Sequence, residues 1–135
     1  YDNSFHVSSR INMSPFEKLR LEALGHKYSA GGHISYIETD SLTKNLDAIP
    51  DILRYAKMVG IHYMGINQPV DKCHICGYKG EFTATKEGFT CPQCGNHDSN
   101  EMSVIRRVCG YLSQPNARPF NKGKQEEIMH RVKHS

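Results

Sequence analysis

The sequence has no long apolar run and no export signal. No stretch approaches the roughly 20 consecutive apolar residues that a membrane-spanning helix needs. No charged, then apolar, then small-residue pattern opens the chain, as a signal peptide would require. We therefore expect a cytoplasmic protein without a membrane partner. The chain also begins at Tyr1 without an initiator methionine, which favours a fragment or a part of something longer.

The sequence also lacks internal repeats, low-complexity linkers and a strong net charge. Its 135 residues fit one domain of ordinary size with a small appended module. The formal charge of +3 is mild, and both signs are interspersed until the C-terminal region. The basic residues gathered there are Arg118, Lys122, Lys124, Arg131 and Lys133. They indicate either a solvated tail or a docking surface for an acidic partner or phosphate.

Two helices are predicted in the first half of the chain. Ser14 and Glu17 match a capping box around Pro15, and Gly25 offers a stop. The apolar face predicted for this helix comprises Phe16, Leu19, Ala23 and Leu24. Pro50 is expected to open the second helix, and Gly60 follows at the position of a C-cap glycine.

Two strands and a final helix complete the predicted elements. Residues 33–38 alternate like a half-buried strand, and residues 61–67 are typical of a strand buried on both sides. Their order around the second helix favours a parallel crossover, or the closing stretch of a larger barrel. Residues 113–123 are predicted to form a loop. Residues 124–134 are predicted to form a short helix with Ile128 and Val132 on one side.

Four of the five cysteines form two matched knuckles, Cys73-His74-Ile75-Cys76-Gly77 and Cys91-Pro92-Gln93-Cys94-Gly95. In a Cys-x-x-Cys knuckle two thiolates face one ion, and the following glycine permits the tight turn. Without a secretion signal, metal binding is favoured over disulfides. The pattern therefore predicts a metal site formed by Cys73, Cys76, Cys91 and Cys94.

Zinc is the favoured metal for this site, and a single iron that transfers electrons is an alternative. Four thiolates leave no position for water or substrate, so the metal is expected to be structural. His74 and His97 lie near the knuckles and are alternative ligands. The remaining histidines are scattered, and a solvated or packed role is favoured for each: His6, His26, His33, His62, His130 and His134.

Gly110 lies beside the fifth cysteine, Cys109, in a strand-like run where glycine costs backbone entropy. With this run the chain resembles the C-terminal region of the anaerobic, class III, ribonucleoside-triphosphate reductases, which are glycyl radical enzymes. The segments that carry the resemblance are Ser14-Pro-Phe-Glu-Lys, Gly32-His-Ile-Ser-Tyr36, Gly65-Ile-Asn67, the two knuckles with Cys94-Gly-Asn96, Arg107-Val-Cys-Gly-Tyr-Leu112, and Arg118-Pro-Phe-Asn-x-Gly-Lys-Gln-Glu-Glu127. Ser113 departs from the glycine expected after Tyr-Leu.

The resemblance implies a radical stored on the Cα of Gly110. A radical S-adenosylmethionine activating enzyme, which carries an iron–sulfur cluster, would install it. The thiyl cysteine and the nucleotide sites would lie in an upstream catalytic portion or a separate catalytic chain, so this chain would be inactive alone. Cys109 is interpreted as a small buried residue, not as the thiyl cysteine. Formate or a small redoxin is implied as the electron source.

The implied fold class is α+β, the end portion of an α/β glycyl radical enzyme barrel followed by a four-cysteine zinc ribbon and a C-terminal glycyl radical loop. The corresponding boundaries are residues 1–70 for a segment packing on the barrel, 71–98 for the ribbon, and 99–135 for the loop and tail. The alternative from another class is a zinc-ribbon module that binds nucleic acid or protein. Residues 77–90 support it with Tyr78, Phe82 and Phe89, but mix lysine with glutamate. We expect no direct nucleic-acid partner.

Overall fold

The computed structural model describes residues 6–29, 31–40, 42, 45–108, 111–114 and 120–134. These residues form helices and short strands, which confirms the expected α+β class. No helix within them is long and apolar enough to cross a membrane. The chain divides into two compact units: the described residues of 1–68 with those of 132–135, and the described residues of 69–131.

The first unit contains two helices and two parallel strands. Its elements are α1 (Pro15–His26), β1 (Ser35–Glu38), α2 (Ala48–Val59) and β2 (Met64–Asn67). Ser35 lies opposite Met64 and Glu38 opposite Asn67, which confirms the parallel crossover through α2. β2 is half-buried along its whole length, so the prediction of a strand buried on both sides is wrong. The sheet has only two strands in the described residues.

Helix α1 begins with the predicted capping box. The Glu17 backbone N–H donates to Ser14 Oγ at 3.2 Å, and the Ser14 backbone N–H donates to Glu17 Oε2 at 3.0 Å. Two of the backbone donors that a helix start leaves unpaired are thus satisfied. Pro15 occupies the first turn, where its missing N–H removes no helical hydrogen bond.

The buried face of α1 differs from the predicted one. Phe16 and Leu24 are 40% and 72% exposed, whereas Lys18 and Glu22 are buried beside Leu19. Lys18 Nζ forms an ion pair with Glu22 Oε1 one helical turn away. Because the two charges compensate each other, a polar stripe can enter the interior without leaving an isolated ion there. The core of this unit then consists of Leu19, Ile37, Ile52 and Ala56.

Helix α2 begins two residues before Pro50 and ends as predicted. Proline is tolerated in the first turn of a helix, where the backbone N–H groups lack helical partners, so the helix can start at Ala48. Gly60 closes the helix in the left-handed conformation with φ of 88°. Ile52 and Ala56 are buried, whereas Leu53 is 49% exposed.

The last described residues belong to the first unit. The Val132 N–H donates to the Ser9 carbonyl at 2.8 Å, and the His134 N–H donates to the Glu38 carbonyl at 2.8 Å. The Glu38 N–H donates in turn to His134 Nδ1 at 2.9 Å. The predicted helix over residues 124–134 is therefore too long at its C-terminal end, since residues 132–134 are instead held beside β1.

The second unit consists of short strands and one helix. Its core contains Cys73, Phe82, Cys91, Met102 and Val104. The elements are β3 (Asp71–Cys73), β4 (Lys79–Gly80), β5 (Thr83–Thr85), β6 (Gly88–Thr90), a 3₁₀ turn (Ser99–Glu101), β7 (Met102–Ser103), β8 (Arg106–Val108), β9 (Tyr111–Ser113) and α3 (Lys122–His130). The strands form a sheet of order β4-β3-β7 and two hairpins, β5–β6 and β8–β9, all antiparallel. Helix α3 lies against β5 and β8.

Candidate functional site: a four-cysteine metal centre

The two cysteine knuckles have the same backbone geometry. Gly77 and Gly95 adopt φ values of 75° and 72°, in the left-handed region that side chains disfavour. Their N–H groups donate to the carbonyls of Cys73 and Cys91 at 3.1 and 2.9 Å, which closes each turn. Glycine after the second cysteine therefore allows both thiols of a knuckle to face the same point.

The four cysteine sulfurs lie at the spacing of a tetrahedral site. Cys73 Sγ is 3.7 Å from Cys94 Sγ, and Cys76 Sγ is 3.7 Å from Cys91 Sγ. An ion that holds four sulfurs at about 2.3 Å places them about 3.8 Å apart. All four are free cysteines, and their sulfurs lie within 4.8 Å of one another. The array can hold a metal and is compatible with zinc.

Neighbouring groups shift the pKa values of Cys73 and Cys76 in opposite directions. The backbone N–H of Cys76 favours the Cys73 thiolate and lowers the pKa of Cys73 to about 6, despite burial. At Cys76, the Tyr78 N–H also favours the thiolate, but burial and the neighbouring thiols outweigh it and raise the pKa to about 12. Asn96 Nδ2 additionally donates to Cys73 Sγ at 3.7 Å. A metal that binds all four sulfurs must therefore displace protons from the array.

Neither histidine near the knuckles joins the described cysteine array. His74 Nε2 lies 3.0 Å from Ser103 Oγ, so its ring is directed to β7. His97 is exposed. The described groups that can hold a metal near the ribbon contain the four cysteines and no histidine. The set of four thiol ligands is thus preferred over a mixed set.

Strands β8 and β9 pair around Cys109 and Gly110. Arg106 lies opposite Ser113 and Val108 lies opposite Tyr111, so Cys109 and Gly110 are the two residues between the paired strands. Both residues lie outside the described residues. Arg131 Nη1 donates to the Arg107 carbonyl at 2.8 Å and connects the end of α3 to this hairpin.

A buried ion pair connects the ribbon to the same hairpin. Arg106 Nη2 donates to Asp71 Oδ2 at 2.6 Å, and Arg106 Nη1 pairs with Asp71 Oδ1. The Phe82 N–H adds a hydrogen bond to Asp71 Oδ2 at 2.8 Å, and the Ile105 N–H adds one to Oδ1 at 3.3 Å. Asp71 precedes the candidate metal ligand Cys73 by two positions, and Arg106 opens β8. No sequence signal identified this pair, because the residues are 35 positions apart.

The aromatic residues of the ribbon face inward. Phe82 is 2% exposed, and Tyr78 and Phe89 pack against the same cluster. The Arg106 guanidinium lies 4.9 Å from the centre of the Phe89 ring. These three rings are the ones that a nucleic-acid-binding module would need for stacking on bases. Because Phe82 is buried and Tyr78 and Phe89 are half-buried, the structure weakens the support that the sequence offered for that alternative.

A second cluster of candidate ligands lies in the first unit. One donor atom each from His6, Glu22 and His33 lies within 4.8 Å of the others. The sequence favoured a solvated or packed role for His33, and the residue is 3% exposed. No local pattern predicted that the three residues converge, because they are separated by 10 or more positions and belong to different segments.

The chain thus has a ribbon with four convergent cysteines that could hold a metal, followed by a two-stranded hairpin. The family model for the anaerobic ribonucleoside-triphosphate reductases matches residues 1–134. The chain therefore belongs to this family, as the sequence resemblance indicated.

Three relatives show the extent of the similarity. The chain is 51% identical over 134 residues to the anaerobic ribonucleoside-triphosphate reductase of Enterobacteria phage T4. It is 48% identical over 134 residues to the enzymes of the same name from Escherichia coli and Salmonella typhimurium. These matches cover 99% of this chain but only 19–22% of the relatives. The chain thus spans about a fifth of their length.

Proposed function

We propose that this chain is the C-terminal part of an anaerobic ribonucleoside-triphosphate reductase and stores the enzyme's radical on Gly110. The observation that carries the proposal is the family match over residues 1–134. The chain spans about a fifth of its relatives, so a further portion or chain would supply the nucleotide sites and the thiyl cysteine.

The hairpin supports the choice of Gly110. The pairing of Val108 with Tyr111 leaves Cys109 and Gly110 as the two residues of the sequence between the paired strands. A radical on a glycine Cα is delocalised over the flanking amide nitrogen and carbonyl in a planar backbone. An alanine methyl at this position would obstruct both the planarity and the approach to the hydrogen.

The proposed reaction begins with hydrogen transfer from Gly110. The 5′-deoxyadenosyl radical, formed by the activating enzyme from S-adenosylmethionine, takes one hydrogen atom and leaves as 5′-deoxyadenosine. The Gly110 radical then takes a hydrogen atom from the thiol of a cysteine in the catalytic portion. The resulting thiyl radical takes the ribose 3′-hydrogen, which starts loss of the 2′-hydroxyl. Formate or a small redoxin supplies the electrons.

In this proposal the four cysteines bind structural zinc. Four thiolates complete the coordination shell, so the ion would hold the ribbon together without contacting substrate. The Asp71–Arg106 pair would fix the position of β8 relative to the ribbon, and the last residue of β8 precedes Cys109. We therefore expect ribbon and hairpin to move as one unit between the activating enzyme, where Gly110 is exposed, and the catalytic cysteine, where it is shielded.

Electron paramagnetic resonance tests the radical assignment. The reductase containing this chain is incubated anaerobically with the activating enzyme, S-adenosylmethionine and a reductant. The proposal predicts a doublet from coupling of the unpaired electron to the remaining Gly110 hydrogen, and its collapse to a singlet when Gly110 carries deuterium on Cα. Gly110→Ala should give no signal, whereas Gly123→Ala, in α3, should keep the doublet. A doublet that persists in Gly110→Ala would place the radical elsewhere.

A further inference from the structure

The second cluster of donors joins three segments of the first unit. His6 precedes α1, Glu22 lies in α1, and His33 precedes β1. Glu22 and His33 are 2% and 3% exposed, and the His6 side chain is 17% exposed. His6 therefore marks the side from which solvent or an ion can reach the cluster.

Glu22 offers one oxygen to its known partners and leaves the other available. Oε1 pairs with Lys18 and accepts the Val7 N–H at 3.0 Å. Oε2 is buried and accepts no hydrogen bond of 3.5 Å or less among the described residues, although, against the effect of burial, His6, Lys18 and the nearby Ser35 hydroxyl help to lower the pKa of Glu22. A buried carboxylate oxygen without a partner is energetically costly, and it indicates a ligand or an ion at this position.

A neighbouring histidine supports the cluster without joining it. The His26 ring stacks on the His33 ring with centroids 4.2 Å apart. Both His26 nitrogens are engaged, since Nδ1 accepts the His62 N–H at 3.3 Å and Nε2 lies 3.0 Å from Ser35 Oγ. His26 therefore orients His33, as residues around metal-bound histidines commonly do.

We propose that His6, Glu22 and His33 form a second metal site that binds a divalent transition ion such as Zn²⁺. Two imidazoles and one carboxylate are a common ligand set for this ion, with a fourth position left to water. Ligand atoms on one zinc lie about 3.4 Å apart, and His6 Nδ1 is already 3.6 Å from Glu22 Oε1. Small rotations of the partly exposed His6 side chain would bring the three donor atoms to the spacing of ligands on one ion.

Lys18 is the main competitor for the carboxylate. Its ammonium already compensates the charge of Glu22, so the carboxylate has a counter-charge even when no metal is bound. A bound metal on Oε2 would leave Lys18 as a hydrogen-bond donor to the ligating carboxylate, an arrangement found around many metal sites. The ion would cross-link the three segments and hold the start of the unit against α1 and β1.

The metal content of the assembled reductase decides whether the cluster is a metal site or only a metal-free ion pair of Lys18 and Glu22. The protein is depleted of metal, reloaded anaerobically with Co²⁺, and analysed for cobalt per chain and for its absorption spectrum. A cysteine site gives intense thiolate-to-cobalt charge-transfer bands, whereas a site of histidine and carboxylate gives only weak visible bands. His6→Asn and His33→Asn are compared with His62→Asn, an exposed neighbour outside the donor set.

The proposal predicts that His6→Asn and His33→Asn each lose one equivalent of cobalt with the weak bands, while the charge-transfer bands stay unchanged. His62→Asn should lose nothing. His6 is only partly buried, so we expect His6→Asn to fold. This variant therefore still tests the proposal if His33→Asn does not fold. Equal cobalt content in wild type and His6→Asn would overturn the proposal. The result does not depend on the Gly110 radical, so the two proposals can fail separately.

Discussion

Arg106 holds the buried carboxylate of Asp71 with both terminal nitrogens of its guanidinium. The Asp71 side chain is fully buried, and the Arg106 side chain is only 11% exposed. Two backbone N–H groups, from Phe82 and Ile105, complete the bonding of the carboxylate. The pair joins the cysteine ribbon to strand β8, whose last residue precedes Cys109 and Gly110 in the sequence.

Breaking this pair should destabilise the second unit strongly. Arg106→Gln leaves the Asp71 charge buried without a counter-ion, so we expect a loss of about 3–5 kcal/mol in the free energy of unfolding. Arg54→Gln is the matched control, because it removes an ion pair with Asp51 in which both side chains are more than half exposed. The control should cost at most about 1 kcal/mol. Denaturant unfolding of the metal-loaded protein measures both, and equal losses would contradict this role of Asp71.

Two leucines of α1 test which face of the helix is buried. Leu19 is fully buried and Leu24 is 72% exposed. Leu19→Ala should lower the free energy of unfolding by about 2–5 kcal/mol through lost burial and a cavity. Leu24→Ala should change it by less than about 0.5 kcal/mol. The same substitution in the same helix isolates the effect of burial, so a larger loss for Leu24→Ala in thermal or denaturant unfolding would contradict the burial seen in the structure.

The capping box of α1 should make the helix start sensitive to acid. The backbone N–H of Ser14, followed by its hydroxyl, lowers the pKa of Glu17 below its ordinary value. A carboxyl with a depressed folded-state pKa stabilises the fold above its unfolded pKa of about 4.3, and this contribution is lost as the pH falls through the lower folded value.

Glu17→Gln keeps a hydrogen-bonding side chain but cannot ionise. We expect the stability difference between wild type and Glu17→Gln to shrink as the pH falls below about 4.3. Backbone hydrogen exchange at the first turn of α1, measured for both proteins across this range, reports the difference. A difference that stays constant with pH would show that the Glu17 charge does not stabilise the cap.

Removing the metal should unfold the ribbon. Cys73 and Cys91 are core residues as well as proposed ligands, so loss of the ion would also destabilise the core of the ribbon. We expect Cys94→Ser to lower metal affinity at least tenfold and to increase hydrogen exchange in residues 71–103, with little change in α1 and α2.

His74→Asn is the control for the ligand set. Its ring bonds to Ser103 outside the cysteine array, so metal content should stay at the wild-type level. Loss of metal in His74→Asn, with retention in Cys94→Ser, would contradict the four-cysteine site.

Local rules of sequence predicted much of the fold. The Ser14–Glu17 box, the Gly60 stop and the two knuckles each depend on residues a few positions apart, and the structure confirms all three. The parallel pairing of β1 and β2 followed from the order of elements. These features are encoded by neighbouring residues, so reading the chain in order recovers them.

Features that depend on tertiary packing were missed. The buried face of α1 was assigned to apolar residues because periodicity treats Lys18 and Glu22 as separate solvated charges. The Asp71–Arg106 pair and the His6–Glu22–His33 cluster likewise form only when remote segments meet. The assignment of Gly110 came from family resemblance, and it remains a prediction.

Cleavage by oxygen tests the central claim about Gly110 most directly. The reductase is activated anaerobically, the radical is verified by electron paramagnetic resonance, and the sample is then exposed to air and analysed by mass spectrometry. A radical on the Gly110 Cα predicts that oxygen cuts the chain at residue 110, with a yield that matches the radical content, and that Gly110→Ala stays whole. A chain that remains intact after verified activation would contradict the account.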